Sequence, residues 1–228
     1  NINPNNYYND EFLNGLNDGI NNTADTGADT GADTGADGRK VSRGCSSSVS
    51  RNSFVDWTGT YTTAIKNAGS NCISSGWAFT AASQVESDTL RLHDESLTLS
   101  VEQLLQCITN NNGCSGGTAE YAFTYLRSSG LELANMYPYT SSNGITGGPC
   151  SFDSSKARVK VAGYFTSLAG KEGCMAHYVQ NTGPLSVCLH ATSAWYTYSG
   201  GKMSRSSCGE GTINHCVQAV GVKPKNYW

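Results

Sequence analysis

The nine cysteines of this 228-residue chain constrain its fold more than any other feature of the sequence. No two of them have CxxC spacing, so the sequence predicts no structural zinc site, and we expect no metal or other cofactor. Cysteine-rich chains without metal-ligand spacing are typical of oxidising compartments. We therefore expect a disulfide framework and an extracellular or lysosomal location. Because the number is odd, at least one cysteine has no partner within the chain.

Charge and the length of apolar runs argue against two classes of partner, nucleic acids and membranes. The net charge is −3 and only 14% of residues are charged, with no basic patch or stripe that would bind nucleic acid. No run of eighteen apolar residues occurs, so the sequence predicts no membrane span. Hydrophobic residues make up 38% of the chain, which is enough for one large core or two modest lobes. We expect a monomer.

Residues 1–50 differ in composition from the rest of the chain. They are rich in asparagine and then repeat four residues in "ADTGADTGADTGADG", a pattern without an apolar face. Such a segment cannot offset the entropy lost on ordering, so we expect a flexible linker. The triplet Asp-Thr-Gly also occurs in aspartic proteases, but these tandem copies lack flanking apolar strands, and we interpret the match as coincidence.

Three helices are predicted between about residue 75 and residue 128. The first has a buried face formed by apolar residues 77, 78, 81, 82 and 85, with Ser74 or Ser75 as its N-cap. The second lies in "LSVEQLLQC", where Ser100 and Gln103 are spaced as a capping box. The third runs from Thr118 to Arg127.

After about residue 158 the pattern changes to strands. The segments "RVKVAGYF", "GPLSVCLH" and "HCVQAVGV" have the composition of β-strands and are broken by Gly and Pro. A helical half followed by a strand half predicts an α+β arrangement of two lobes.

Several motifs resemble, in order, landmarks of the papain-like cysteine proteases, and of their cathepsin L group in particular. They are "WAFTAASQVES", "LSVEQLLQC", "GCSGG", "YPYT", "GPLSVCL" and "INHCVQAVGV", and the similarity covers about residue 54 to the end. "NDEFLNGLNDG" resembles the tail of the family's inhibitory pro-segment. The resemblance implies a papain-like fold with a helical left lobe, a β-barrel right lobe and a cleft between them. Residues 1–50 would be a pro-segment remnant with a linker, and 51–228 a peptidase domain that lacks its C-terminal part.

The resemblance assigns His215 as the catalytic histidine, but it leaves the nucleophile position open. Counting back from Trp77 gives Gly76, whereas counting forward from Cys72 gives Ser75, because "CISSGW" is one residue longer than the family's "CGSCW". Neither position has a thiol. Cys72 itself would serve only if the loop were rebuilt.

Two further parts of the family's chemistry are affected. Ala68 stands where the family has the glutamine that donates to the oxyanion, a loss that typically costs about 10² to 10³ in rate. The orienting asparagine would lie beyond Trp228. The sequence thus predicts a peptidase homologue that is inactive or severely impaired. Two alternatives are a weak serine-type hydrolase using Ser75 with His215, and an active cysteine endopeptidase using Cys72.

The resemblance also assigns the walls of the cleft, where we expect a peptide or protein ligand, a pro-segment or a cystatin-type inhibitor. Gly116 and Gly117 would pair with the ligand backbone. The other assigned substrate-binding residues are Thr118, Ala119, Cys188, Asn214 and Cys216.

The same resemblance implies two disulfides, Cys72 with Cys114 and Cys107 with Cys150. Cys188 and Cys216 either form a third one across the side-chain pocket, which it would narrow, or are two core thiols. The partner of Cys208 would lie beyond the end of this sequence, and Cys45 and Cys174 have no assigned partner.

Overall fold

The structure, a computed structural model, describes residues 54–146, 148–166 and 172–223. The predictions for residues 1–50, and for Cys45 among them, lie outside the described residues. The helices are α1 (Gly76–His93), α2 (Val101–Cys107), α3 (Ala119–Ser128), α4 (Glu172–Asn181) and α5 (Arg205–Cys208). The strands are β1 (Val55–Asp56), β2 (Leu185–Leu189), β3 (His215–Ala219) and β4 (Gly221–Val222). The three helices α1 to α3 follow one another without an intervening strand, whereas β2 to β4 lie in the second half of the chain together with α4 and α5, so the fold is of the α+β class.

Helix α1 is the centre of the left lobe. The five apolar residues of its predicted face, Trp77, Ala78, Ala81, Ala82 and Val85, are all at most 2% exposed. They pack in one core cluster with residues of α2 and α3, and this burial is the main favourable term for the lobe. The indole nitrogen of Trp77 also donates to the carbonyl of Gly113 at 3.1 Å, which fixes the N-terminal end of the helix.

The capping box predicted for α2 is only half formed. The Ser100 hydroxyl accepts from the backbone N–H of Gln103 at 3.0 Å, as expected. The Gln103 side chain does not return the bond, because its oxygen accepts from the backbone N–H of Glu132 at 2.8 Å. The reason is tertiary, since the backbone N–H of Ser100 is already bonded to the carbonyl of Glu132.

The strand predicted in "RVKVAGYF" is wrong. Within residues 158–165, Val159 forms an isolated antiparallel bridge with Leu131, and Val161 packs into the left-lobe core. These valines have strand composition because they are buried, and burial alone does not require a ladder.

The other two predicted strand segments are confirmed and form antiparallel pairs. Strands β2 and β3 pair over five residues, from Leu185 opposite Ala219 to Leu189 opposite His215. Strand β1 pairs with β4, next to a small second core that α4 contributes to.

The β2–β3 ladder packs directly on α1. The Thr80 hydroxyl contacts that of Ser186 at 3.0 Å. The Gln218 amide donates to the Ser87 hydroxyl at 3.0 Å. Since β3 runs along α1 in this way, its first residues lie at the N-terminal end of the helix.

Three disulfides lie in the described part of the chain, Cys72–Cys114, Cys107–Cys150 and Cys188–Cys216. Cys174 is also disulfide-bonded, and Cys208 is a free thiol. The first two bonds hold the left lobe, and each typically stabilises a fold by about 2–4 kcal/mol. Among the described residues, no helix has the length and apolar character needed to cross a membrane.

Candidate active site

Gly76, the first residue of α1, faces the histidine predicted to be catalytic. A β-carbon placed on Gly76 would lie 3.3 Å from Nδ1 of His215. The same β-carbon would lie only 2.8 Å from the carbonyl oxygen of Cys216, closer than real β-carbons approach backbone atoms. A side chain at position 76 would therefore point at the imidazole, but the backbone of β3 fills the space it needs.

Ser75, the other candidate for the nucleophile position, is held inside the turn that precedes α1. Its residue is 1% exposed, and its hydroxyl donates to the carbonyl of Cys72 at 2.5 Å. Its backbone N–H bonds the same carbonyl at 3.3 Å, which closes a tight turn over residues 72–75. This turn accommodates the extra residue of the loop and leaves Ile73 68% exposed. Ser75 is the N-cap residue of α1, as predicted, but its side chain caps no backbone N–H, because this hydroxyl acts as a donor inside the turn.

Cys72, the third candidate, is completely buried and its sulfur is bonded to Cys114. A sulfur held in a disulfide cannot act as a thiolate nucleophile. The loop before α1 therefore presents no thiol to the cleft.

His215 is the first residue of β3 and is half-buried. Its ring makes an edge-to-face contact with Trp195, with the ring centroids 6.4 Å apart. The indole nitrogen of Trp195 is buried and has no hydrogen-bond partner in the described part of the chain. No sequence pattern points to Trp195, because an aromatic residue in a single 3-10 turn carries no periodic signal.

Ala68 is half-buried in the loop that the resemblance connects with the oxyanion. Its carbonyl accepts from the Tyr139 hydroxyl at 2.8 Å, so its backbone is anchored to the left lobe. Its methyl group has no hydrogen to donate to an oxyanion.

Gly116 and Gly117 lie on the left-lobe side of the N-terminal end of α1. A β-carbon on Gly116 would be 4.0 Å from Cβ of Ser74, and the φ of Gly116 is +128°, a conformation that favours glycine. A β-carbon on Gly117 would lie 2.5 Å from the Asn111 side chain, so no larger residue fits there. The Asn111 amide group bonds both the N–H and the carbonyl of Thr118, at 2.9 and 3.2 Å. The Asn111 side chain therefore anchors the backbone next to Gly116 and Gly117, which together form the glycine strip.

The remaining predicted cleft residues divide into two groups. Thr118 accepts from the backbone N–H of Tyr121 as the N-cap of α3, and Ala119 is buried at the start of that helix. Asn214 is exposed, and its amide pairs with the backbone N–H and carbonyl of Ala191 at 2.7 and 3.0 Å. The Asn214 side chain therefore closes the loop between β2 and β3.

The Cys188–Cys216 disulfide joins β2 to β3 at directly opposite positions. Cys188 is exposed, whereas Cys216 is half-buried and packs against the left-lobe core. The bond thus spans from the interface between the lobes to the surface.

Farther along α1, the same interface buries a carboxyl group. Burial raises the pKa of Asp88, and hydrogen bonds from Gln84 and Arg91 oppose that shift. Burial, with a contribution from the Asp88 charge, raises the pKa of Tyr178 as well. The charged form of Asp88 is therefore disfavoured in the folded protein.

The described residues contain no group of three or more His, Cys, Asp or Glu side chains placed to hold a metal ion. Three features lie at the N-terminal end of α1: the His215 imidazole, Gly76 without a side chain, and the backbone of Gly116 and Gly117.

Comparisons with known proteins agree with this architecture. The family model described as "Papain family cysteine protease" matches residues 51–228. A cathepsin L-like proteinase of Fasciola hepatica is 33% identical over 180 residues, covering 76% of this chain and 53% of the relative. Cathepsin J of Rattus norvegicus is 34% identical over 193 residues, covering 79% and 56%. This chain spans about half the length of the curated relatives it matches.

A solved structure, the digestive procathepsin L 3 of the Tenebrio molitor larval midgut, matches with a TM-score of 0.70. It is 30% identical, and the match covers 78% of this chain and 58% of that one. The digestive procathepsin L2 of the same source gives a TM-score of 0.68 at 29% identity, with 78% and 56% covered. With its ordered motifs, its fold and the family match over residues 51–228, this chain belongs to the papain family of cysteine proteases as a cathepsin L-like homologue.

Proposed function

We propose that this protein binds an extended peptide segment in the cleft between its lobes and does not cleave it. The observation that carries the proposal is the geometry at Gly76. A β-carbon there would lie 3.3 Å from Nδ1 of His215, yet the residue has none, and the Cys216 carbonyl oxygen lies only 2.8 Å from that position. A cysteine protease needs a thiolate at this position, beside the imidazole and the helix N-terminus.

The other possible nucleophiles support the proposal by their placement. The Ser75 hydroxyl is buried and donates to a carbonyl, so serine-type chemistry with His215 would require the turn to open. Cys72 would first have to be reduced and then moved to the surface. Ala68 removes an oxyanion donor, which by itself typically costs about 10² to 10³ in rate. Each alternative activity thus needs a rearrangement of the loop before α1.

Peptide binding does not depend on the missing nucleophile. Gly116 and Gly117 leave a strip of backbone without side chains, and Asn111 holds that strip in place. Backbone of this kind can pair with an extended segment, as when a strand is added to a sheet edge. The ligands we propose are a peptide, a cystatin-type inhibitor, or a pro-segment remnant within residues 1–50 of this chain. The solved structures it resembles are procathepsins.

The proposed location is extracellular or lysosomal, and the proposed state is a monomer. Support for the location comes from the disulfides, which form and persist in oxidising compartments.

The lack of catalysis is tested with a panel of fluorogenic peptides, an epoxide that labels active-site thiols and a phosphonate that labels active-site serines. We expect no turnover and no labelling between about pH 4.5 and pH 8, a range chosen to cover the working conditions of acid and neutral peptidases. The matched control is His215→Ala, because genuine residual turnover must fall in this variant and contaminating activity must not. Turnover that depends on His215, with labelling of Ser75 or Cys72, would contradict the proposal.

Ligand binding is tested by calorimetry with a cystatin-type inhibitor and with a synthetic peptide of residues 9–19. We expect saturable 1:1 binding of at least one of them to the wild-type protein. The control is Gly117→Ala, in which the new methyl group meets the Asn111 side chain and should displace the glycine strip. If neither probe binds, nor any member of an unbiased peptide library, the protein is a scaffold and the proposed function is wrong.

A further inference from the structure

The position of the Cys188–Cys216 disulfide follows from the register of the β2–β3 ladder. Ser186 and Gln218 are opposite each other, and both contact α1. Because side chains alternate between the two faces of a strand, residues 188 and 216 lie on the same face of the ladder as residues 186 and 218. The disulfide is therefore on the side of the ladder that faces α1, two residue pairs closer to the N-terminal end of the helix than Ser186 and Gln218.

The same end of α1 forms the floor of the cleft. On one side Gly116 faces Ser74, at 4.0 Å between their β-carbon positions. On the other side the backbone of Cys216 lies against Gly76. A peptide lying over residues 74–76 would thus run between the glycine strip and the disulfide, whose Cys188 end is exposed.

The disulfide changes what this wall can accommodate. Two unlinked side chains on opposite strands can rotate apart to admit a ligand side chain, whereas two bonded sulfurs are held together over the gap between the strands. A bulky ligand side chain would have to displace the sulfurs or the strand backbone, and overpacking of this kind is costly.

We propose that the Cys188–Cys216 disulfide makes the cleft selective for extended peptides that place a glycine or alanine against it. The inference rests on the proposed peptide binding and adds the class of peptide to it. Affinity comes from backbone pairing on the glycine side, and the disulfide excludes branched and aromatic side chains on the other. Cys188 and Cys216 are in this sense specificity-determining residues.

The test is a positional-scanning library of N-acetylated, C-amidated hexapeptides, bound to the intact chain in the absence of reductant. For wild type we expect one peptide position at which Gly and Ala bind at least about tenfold more tightly than Leu and Phe. A factor of that size is what a few methylene groups produce at a close-fitting wall. In the double variant Cys188→Ala/Cys216→Ala, the preference at that position should disappear or reverse.

The matched control is Cys107→Ala/Cys150→Ala, which removes a disulfide at the C-terminal end of α2. It should weaken the fold to a similar extent and keep the preference for small residues. If the Cys188→Ala/Cys216→Ala variant does not fold, the ranking of Gly and Ala against Leu and Phe in the wild-type protein still tests the inference, since it needs no variant.

The outcomes separate the two proposals. A wild-type preference for Leu or Phe at every position, or a small-residue preference that the cleft double variant retains, would overturn the inference and leave peptide binding intact. Binding by the double variant alone would overturn the claim that wild type admits small residues. Absence of binding to both proteins would overturn the proposed function itself.

Discussion

The left lobe and the reaction centre, which is the N-terminal end of α1 where Gly76 faces His215, differ in how their polar groups are hydrogen-bonded. In the left lobe the Glu102 carboxylate is 1% exposed, and five donors surround it. Four of them are the N–H and hydroxyl groups of Thr140 and Ser141, at 2.7–3.1 Å. A charge buried so completely is tolerated only because its hydrogen bonds are satisfied.

At the N-terminal end of α1 the described residues form no comparable network. His215 faces a glycine, Ala68 presents a methyl group, and the Ser75 hydroxyl is bonded within its own turn. The difference teaches that the interactions which hold the papain fold are separate from those that the family's catalytic chemistry requires. A fold does not by itself imply the function it often carries. The following variants test how complete this separation is.

The largest effect is expected for Glu102→Ala in the left lobe. The substitution leaves the donors of Thr140, Ser141 and Gln106 without their acceptor, and we expect unfolding to become easier by about 3–5 kcal/mol. The measurement is urea denaturation followed by tryptophan fluorescence. Glu120→Ala, at an exposed position of α3, is the control and should change stability by less than about 1 kcal/mol. A Glu102 variant as stable as this control would show that the left lobe does not depend on its buried carboxylate.

A smaller loss is expected for Gly76→Ala at the reaction centre. Its methyl group would lie 2.8 Å from the Cys216 carbonyl, so β3 must shift, at a cost of about 1–3 kcal/mol. The matched control is Gly173→Ala in α4, where a β-carbon meets nothing within 4 Å. There, alanine should be neutral or stabilising by up to about 1 kcal/mol, because it reduces the freedom of the unfolded chain.

If Gly76→Ala proved as harmless as its control, β3 would be free to move away from α1. A nucleophile could then be reinstalled without cost to the fold. The expected penalty instead means that the glycine and the position of β3 depend on each other.

Asp88, at the interface between the lobes, should give the protein a measurable dependence on pH. Burial raises its pKa in the folded state above its value in the unfolded chain, about 3.9. Its contribution to stability is therefore most favourable below the unfolded pKa and is lost as the pH rises through the folded pKa. We expect the stability of wild type relative to Asp88→Asn to fall as the pH rises above about 4, the pKa of the unfolded carboxyl group.

Urea denaturation at several pH values checks this expectation. Asp94→Asn, an exposed position just after the same helix, is the control for removing one negative charge. If the stability of wild type relative to the Asp88→Asn variant stayed constant or increased as the pH rises, the assigned direction of the shift would be wrong.

Local pattern predicted much of the fold, and tertiary contacts explain what it missed. The apolar spacing from Trp77 predicted the face of α1 correctly, because one face of a helix against one core follows directly from periodicity. The valines near residue 159 have strand composition, but they pack into the left lobe without forming a ladder. The buried Glu102 has no local signal, since a glutamate in a helix is usually exposed.

The candidate site could be predicted only as far as its residue types. Counting along "CISSGW" leaves Ser75 and Gly76 equivalent, and their placement depends on a turn that bonds the Ser75 hydroxyl to Cys72. The crowding of Gly76 by Cys216 joins residues 140 positions apart, and no sequence pattern contains it.

The smallest effect is expected for His215→Ala, and it tests the comparison most sharply. In an active protease of this family the substitution would remove the general base. Here we expect stability to fall by about 1 kcal/mol or less, from the lost contact with Trp195, and peptide affinity to change less than about threefold. Denaturation and calorimetry on the same preparation measure both quantities. A loss of several kcal/mol would make the imidazole a structural group, and a large loss of affinity would make it a ligand-binding one. If neither stability nor affinity falls by that much, the imidazole that an active protease needs for catalysis is dispensable here both for the fold and for peptide binding.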